Sequence, residues 1–203
     1  MDTYTQLDED TRDMIAEMAN IGTGSAATSL STIMGCPVEI EVPDLKLLAY
    51  KELAAEMDAA EELKTGILVE VSGDIRGIFL FLLNETFTVD LLDTVLGSAQ
   101  RTLTDLDTLE QSVLCELGNI MCGSYIRAMS QLTQTDNTVS VPDLCIDMGG
   151  AILGCALSRF LQISEEILMI KNRLEIGEKT FNGHIFFVPE LSSLIALQEK
   201  LWE

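Results

Sequence analysis

Two stretches of this chain decide its fold: DMIAEMANIGTGSAATSLSTIMGCPVEIEVPDL at residues 13–45 and SVLCELGNIMCGSYIRAMSQLTQTDNTVSVPDL at residues 112–144. Laid over each other without a gap, they agree at ten of 33 positions and lie 99 residues apart. The agreements include Glu, Asn, Ser and the run Pro-Asp-Leu, which a generic amphipathic helix does not need. We infer an internal duplication, with repeats at approximately residues 8–98 and 104–203 that together form a single domain.

Each stretch contains the same spaced set of polar residues followed by a proline. The set is an acid or Ser, Glu four residues later, Asn three residues after that and Pro 23 residues further on. The first copy is Asp13, Glu17, Asn20 and Pro43, and the second is Ser112, Glu116, Asn119 and Pro142. On a helix, residues three or four apart project from one face. The sequence therefore predicts a first ridge (Asp13, Glu17, Asn20) and a second ridge (Ser112, Glu116, Asn119), each with a carboxylate beside an amide.

The net charge of the chain argues against partners that carry many phosphate groups. The 203-residue chain has 12 basic and 33 acidic residues, a net charge of −21. Such a surface repels nucleic acid and anionic membranes, since phosphate contacts need clustered Lys and Arg. The acidity is that of an ordinary solvated surface or an adaptation to a salty cytoplasm, where salt screens self-repulsion.

Membrane insertion is not predicted either. The longest apolar run, Ile78 to Leu83, is far shorter than a membrane span, and the N-terminal MDTYTQLDEDTRD has no signal-peptide character. We expect a cytoplasmic protein.

Cysteine and histidine usage argues against metal and covalent chemistry. The five cysteines include no C-x-x-C pair, and the one histidine is His184. We therefore expect no metal site, because a zinc site needs closely spaced Cys and His ligands. No Ser or Cys has a His partner within a recognisable catalytic motif. The two ridges suit positioning better than covalent attack.

Hydrophobic periodicity predicts the order helix, strands, helix in each half. In the first half we expect a helix over 8–34 ended by Gly35, a strand from Val38 to Val42, a turn at Pro43-Asp44 and a strand over 45–50. We expect a hairpin of 66–72 and 76–83 to follow, and then a helix over 85–96 capped by Asn84. In the second half we expect a helix over 105–131 capped by Thr104, a strand that begins with Val139 and Val141, a helix over 147–163, strands at 168–175 and 179–188, and a closing helix over 189–203.

The expected fold class is α+β. Many intervals between the strands are too short for helical crossovers, which favours an antiparallel sheet. The sequence thus predicts an internally duplicated, pseudo-two-fold α/β repeat with a mainly antiparallel sheet packed against long helices. Because no Gly-, Ser- or Pro-rich linker separates the halves, we expect them to share one sheet or one core.

The motif D/S-x3-E-x2-N-x22-P, present twice across nearly the whole chain, resembles that of the chemotaxis phosphatase family that includes CheC, CheX and the phosphatase part of FliY. Two copies without an appended flagellar-switch domain resemble the CheC type. The resemblance implies a hydrolase of two-component signalling that removes the aspartyl phosphate from the response regulator CheY. It also implies that Asn20 and Asn119 position the attacking water, and that Glu17 and Glu116 engage the regulator.

The resemblance assigns the remaining motif positions and the cofactor as well. Asp13 and Ser112 support the ridges, and we expect Pro43 and Pro142 to be architectural, fixing the chain before an edge strand. The protein would need no cofactor of its own, because the bound regulator would supply Mg²⁺.

An alternative function has the same fold but no enzymatic activity. In this alternative, the chain is a non-catalytic adaptor that binds phosphorylated CheY, the receptor deamidase CheD, or both. The segment from Met148 to Phe160 resembles the region that docks CheD, and its predicted docking residues are Met148, Ile152, Leu153 and Leu157. Gly154 departs from the acidic residue that this region has elsewhere in the family.

Overall fold

The computed structural model describes residues 9–49, 52, 61–158, 166–176, 179–190 and 192–193. Its helices are α1 (Glu9–Met34), α2 (Glu85–Leu96), α3 (Thr108–Thr133) and α4 (Gly149–Ser158). Its strands are β1 (Val38–Ala49), β2 (Leu63–Gly73), β3 (Gly77–Asn84), β4 (Asn137–Val139), β5 (Asp143–Met148), β6 (Glu166–Ile176) and β7 (Lys179–Pro189). The order confirms the expected α+β class.

All strand pairs belong to one antiparallel, seven-stranded sheet with the order β1-β6-β7-β3-β2-β4, in which β5 also pairs with β2. The strand order is symmetric about its centre when the strands of the two repeats are matched. In this matching, β1 corresponds to β4 and β5 together, β2 corresponds to β6, and β3 corresponds to β7. The pseudo-two-fold axis therefore passes between β7 and β3. Each half gives its edge strand to the other half, since β1 pairs with β6 and β5 pairs with β2. The two repeats thus share one sheet.

Both faces of the central strand β3 are buried. Phe79, Phe81 and Leu83 belong to the main core, which lies between the sheet and helices α1, α2 and α3. The alternate residues Ile78, Leu80 and Leu82 belong to a second cluster on the opposite face, which α4 covers in part. Strand residues with two buried faces form a rigid base for the two long helices.

Helices α1 and α3 approach each other closely at Gly22. A Cβ at this position would lie 2.9 Å from the Cα of Tyr125, so only glycine fits the gap. Beside it, the Tyr125 hydroxyl lies 2.7 Å from Thr23 Oγ1 and donates to Asn172 Oδ1 at 3.4 Å. This buried polar chain links α1, α3 and β6. Burial raises the pKa of Tyr125 to about 12, although its hydrogen bond with Thr23 acts in the opposite direction.

The start of α3 differs from the prediction. Thr104 lies in a short 3₁₀ turn, and the helix cap is Asp107. Asp107 accepts from the Glu110 backbone N–H, and the Glu110 carboxylate accepts from the Asp107 N–H. Arg101 also donates to Glu110 at 2.6 Å and to Asp93 near the end of α2, which fixes α3 relative to α2. The capping box rather than the first Thr sets the helix start.

The predicted turn at Pro43-Asp44 is wrong, because β1 runs continuously through it. The pairing with β6 is irregular between Glu41 and Asp44, so the proline lies at a bulge within an edge strand. The other half repeats this feature, since Ser140 to Pro142 interrupt the edge between β4 and β5. A bulge removes the ladder hydrogen bond that proline cannot make.

Helix α4 is shorter at its start than predicted, because Asp147 and Met148 belong to β5. The interval 50–60, apart from Glu52, the residues 159–163 and most of the closing helix lie outside the described residues. Within the described parts of the chain, no helix has the length and hydropathy to cross a membrane.

Candidate functional site

The second ridge lies on the outer face of α3. Ser112, Glu116 and Asn119 are exposed, whereas Leu114 and Leu117 of the same turns are 0% and 4% exposed in the main core. The Asn119 amide donates a long hydrogen bond of 3.5 Å to the Glu116 carboxylate. The structure therefore brings the carboxylate and the amide together on the surface, with the amide oxygen of Asn119 open to solvent.

An open groove of about 540 Å³ runs beside the second ridge. One wall is α3, with Ser112, Glu116 and Asn119, and the other is the chain from Val139 to Pro142. Pro142, 23 residues beyond Asn119, thus lies across the groove from the motif carboxylate and amide. It precedes edge strand β5, and it also shapes the site directly.

Ser140 holds this wall in place. Its N–H donates to the Glu70 carbonyl at 2.9 Å, and its hydroxyl accepts from the Glu70 N–H at 3.0 Å. The side chain therefore replaces a backbone group where the ladder with β2 is interrupted. The next residue, Val141, is 86% exposed at the rim of the groove. Sequence reasoning placed Val141 in a strand and missed its surface role, although a Val precedes the motif Pro in both repeats.

The first ridge lies on α1 in the equivalent orientation. Asp13, Glu17 and Asn20 are exposed, and Ile15 and Met18 point into the core. Among the described contacts, no hydrogen bond joins Asn20 to Glu17, so the two ridges are not identical. Pro43 lies in β1 at the bulge, and the placement of its side chain is outside the described residues.

Cys115 is the thiol nearest to the second ridge. Its Sγ lies 3.9 Å from the Pro142 carbonyl oxygen. Burial, and to a smaller extent the charge of Asp143, raise the pKa of the Cys115 thiol above its ordinary value. Because only the thiolate is a strong nucleophile, this shift disfavours covalent chemistry at Cys115. The histidine, His184, lies in β7 and stacks on Phe186. The chemistry available in the groove is therefore hydrogen bonding and charge.

No group of three or more His, Cys, Asp or Glu side chains is placed to hold a metal within the ranges that the structure describes.

The predicted CheD-docking residues do not share one surface. Ile152 and Leu153 are 3% and 5% exposed in the second core cluster, so they pack within this chain. Met148 is 55% exposed at the end of β5. The side chain of Leu157 lies outside the described residues. Gly154 has open space around it. Docking of CheD at this segment stays a prediction, with Met148 as its accessible residue.

A model of the CheC-like family matches residues 11–47 and 109–146 of this chain. The two matched segments contain both ridges and both motif prolines. The CheY-P phosphatase CheC of Bacillus subtilis is 28% identical over 206 aligned residues, covering 100% of this chain and 97% of that protein. The flagellar motor switch phosphatase FliY of Bacillus subtilis is 28% identical over 67% of this chain and 35% of its own length.

A solved structure shares the fold. The crystal structure of Thermotoga maritima FliY matches with a TM-score of 0.75 at 22% identity, over 96% of this chain and 97% of that chain. These findings confirm the resemblance that the two motif copies carried, and they confirm the duplicated fold.

Proposed function

We propose that this CheC-like chain is a phosphatase that hydrolyses the aspartyl phosphate of the chemotaxis response regulator CheY. The relatives named CheY-P phosphatase CheC and flagellar motor switch phosphatase FliY support this activity at the level of the family. The observation that carries the proposal is the pair Glu116 and Asn119, exposed side by side on an open groove.

Hydrolysis of an aspartyl phosphate needs a water molecule held in line with the bond that breaks. A carboxamide suits this task, since its oxygen accepts from the water while its N–H groups donate. Asn119 uses one N–H on Glu116, which leaves its oxygen and a second N–H for the water. The water oxygen bonds to phosphorus, the regulator's carboxylate leaves, and the water's proton passes to the phosphate. Asn20 has the same role at the first ridge.

Glu17 and Glu116 dock the regulator in this proposal. An exposed carboxylate three residues before the amide can pair with a Lys of the regulator, and that pairing would fix the amide over the phosphoryl group. The regulator supplies Mg²⁺ with the phosphoryl group, and the present chain supplies the positioned amide in trans. Preorganised polar groups of this kind contribute roughly a hundredfold or more to rate.

The experiment is release of inorganic phosphate from phosphorylated CheY by the double variant Asn20→Ala/Asn119→Ala. The expected result is a loss of about a hundredfold in turnover. Binding to CheY loaded with beryllofluoride, a phosphoryl mimic, should stay within about twofold, because the glutamates that dock the regulator are retained.

The control is Gln100→Ala, which removes an exposed amide from the loop between α2 and α3, outside both ridges. Unchanged turnover by the double variant would defeat the mechanism. Saturable binding together with a slower loss of the phosphate would instead identify the adaptor function, in which the chain protects phosphorylated CheY.

A further inference from the structure

Arg127 extends the line of the second ridge along α3. Ser112, Glu116, Asn119, Gly123 and Arg127 are separated by four, three, four and four residues, which is the spacing of one helical face. Arg127 is exposed, as are Glu116 and Asn119. The guanidinium therefore belongs to the same surface as the carboxylate and the amide.

The side chain leans back toward the ridge. Its Nη2 donates to Ser124 Oγ at 3.2 Å, and its Nη1 lies 3.4 Å from the position that a Cβ on Gly123 would occupy. Both contacts precede Arg127 in the helix, as expected from the tilt of helical side chains toward the N-terminus. Gly123, the residue between Asn119 and Arg127 on this face, has no side chain to separate the guanidinium from Asn119.

Arg127 also has no carboxylate partner within the described part of the chain. Other basic side chains do have partners: Arg101 pairs with Asp93 and Glu110, Arg173 with Glu175, and Lys179 with Asp90. The chain has a net charge of −21, so acidic residues are in excess over basic ones. Even so, none of the described acidic side chains forms an ion pair with Arg127. Its placement beside the second ridge leaves it available to a partner's acidic groups.

The first ridge lacks this cation. The residue 99 positions before Arg127 is Thr28. Counted over the five equivalent positions, the first ridge has two acids and no base (a charge of −2), and the second has Glu116 and Arg127 (−1 + 1 = 0). A phosphorylated partner therefore meets less repulsion at the second ridge.

We propose that Arg127 is a docking residue that pairs with an acidic side chain of the regulator and makes the second ridge the tighter-binding site. Arg127 follows Asn119 by eight residues, or about 12 Å of helix at ~1.5 Å per residue. It therefore contacts the regulator's surface beside the phosphoryl group rather than the reacting atoms. Guanidinium pairs with carboxylate through two parallel hydrogen bonds, which gives orientation as well as affinity.

The test separates the two sites and rests on the proposed phosphatase function. Asn20→Ala leaves the second site active, and Asn119→Ala leaves the first. In the Asn20→Ala protein, Arg127→Ala should raise KM for phosphorylated CheY about threefold to tenfold with kcat unchanged, and it should weaken the dependence of KM on salt. Arg127→Lys should restore part of the effect.

In the Asn119→Ala protein, Arg127→Ala should change nothing, whereas Thr28→Arg should lower KM. Arg173→Ala is the matched charge control. It removes one positive charge from β6, where the neighbours Asn172 and Leu174 point toward the core beneath the helices, so Arg173 lies on the opposite face of the sheet.

Three results would overturn the proposal: no effect of Arg127→Ala at the second site, an equal effect at both sites, or a loss confined to kcat. If the wild-type protein does not accelerate phosphate release from phosphorylated CheY, the phosphatase function fails and the role of Arg127 fails with it. If both single variants turn over and Arg127→Ala is silent, the role of Arg127 alone is refuted.

Discussion

Replacing Gly22 by alanine tests the close contact between α1 and α3, and Gly24 on the same helix provides a matched control. A Cβ on Gly22 would lie 2.8 Å from Cδ1 and 2.9 Å from Cα of Tyr125. A Cβ on Gly24 would have no other atom within 4 Å. Carbon atoms in favourable contact lie about 3.5–4.0 Å apart. Gly22→Ala therefore has to push the two helices apart by ~0.6 Å or more, while Gly24→Ala moves nothing.

The magnitude follows from two opposing effects. Alanine is favoured over glycine inside a helix by about 0.8–1 kcal/mol, and this gain applies at both positions. Overpacking at a close contact costs about 1–3 kcal/mol, and this loss applies at Gly22 alone. Gly24→Ala should therefore raise the free energy of unfolding by up to about 1 kcal/mol, and Gly22→Ala should lower it by up to ~2 kcal/mol.

Equilibrium unfolding in urea, followed by circular dichroism, measures both changes. The expected order of stability is Gly24→Ala above the wild type and the wild type above Gly22→Ala, with similar slopes against urea concentration. If Gly22→Ala is as stable as Gly24→Ala, the helices do not approach at this point and the packing beneath the ridges is different from the one described.

Three further predictions concern the support of the ridges. Tyr125→Phe removes the hydroxyl that links Thr23 to Asn172 and should lower the free energy of unfolding by about 1–2 kcal/mol; a urea midpoint equal to that of the wild type would contradict it. The pKa of Tyr125 is raised to about 12, which means that the folded state resists ionisation of this hydroxyl. The contribution of Tyr125 to the free energy of unfolding should therefore be complete below its ordinary pKa near 10 and should fall as the pH rises toward 12. Tyr125→Phe should show a shallower fall, and identical pH profiles would count against the buried hydroxyl. Asp107→Ala should cost about 1 kcal/mol through loss of the capping box, whereas Thr104→Ala should be nearly neutral; thermal unfolding tests both, and the reverse order would restore Thr104 as the cap.

Periodicity and repetition made much of this fold predictable. The apolar spacing in α1 and the glycine at its end placed that helix within one residue, and the hairpin of β2 and β3 followed from the two predicted strands at 66–72 and 76–83. Such signals are local, so they can be read from a few neighbouring residues. The repeated Glu and Asn placed both ridges for the same reason.

Long-range pairing decided what the sequence could not show. Nothing local distinguishes a turn at Pro43 from a bulge, because the bulge exists through pairing of β1 with β6. The exchange of edge strands between the halves is likewise a property of the whole sheet. Pro142 joins the second ridge only because β5 pairs with β2 and carries residues 139–142 across α3.

Helix starts were the other source of error. Thr104 and Asp107 are both residues that favour a helix cap. Asp107 is the cap because Glu110, three residues later, accepts a hydrogen bond from the Asp107 N–H and so completes the capping box.

The central claim is tested most directly by phosphate release from phosphorylated CheY in the presence of a small molar fraction of the wild-type protein. If the ridges supply catalytic amides, each molecule of this protein should release many molecules of phosphate, and the rate should rise in proportion to its concentration. Release at the regulator's own rate, or slower release in proportion to the protein added, would contradict the account.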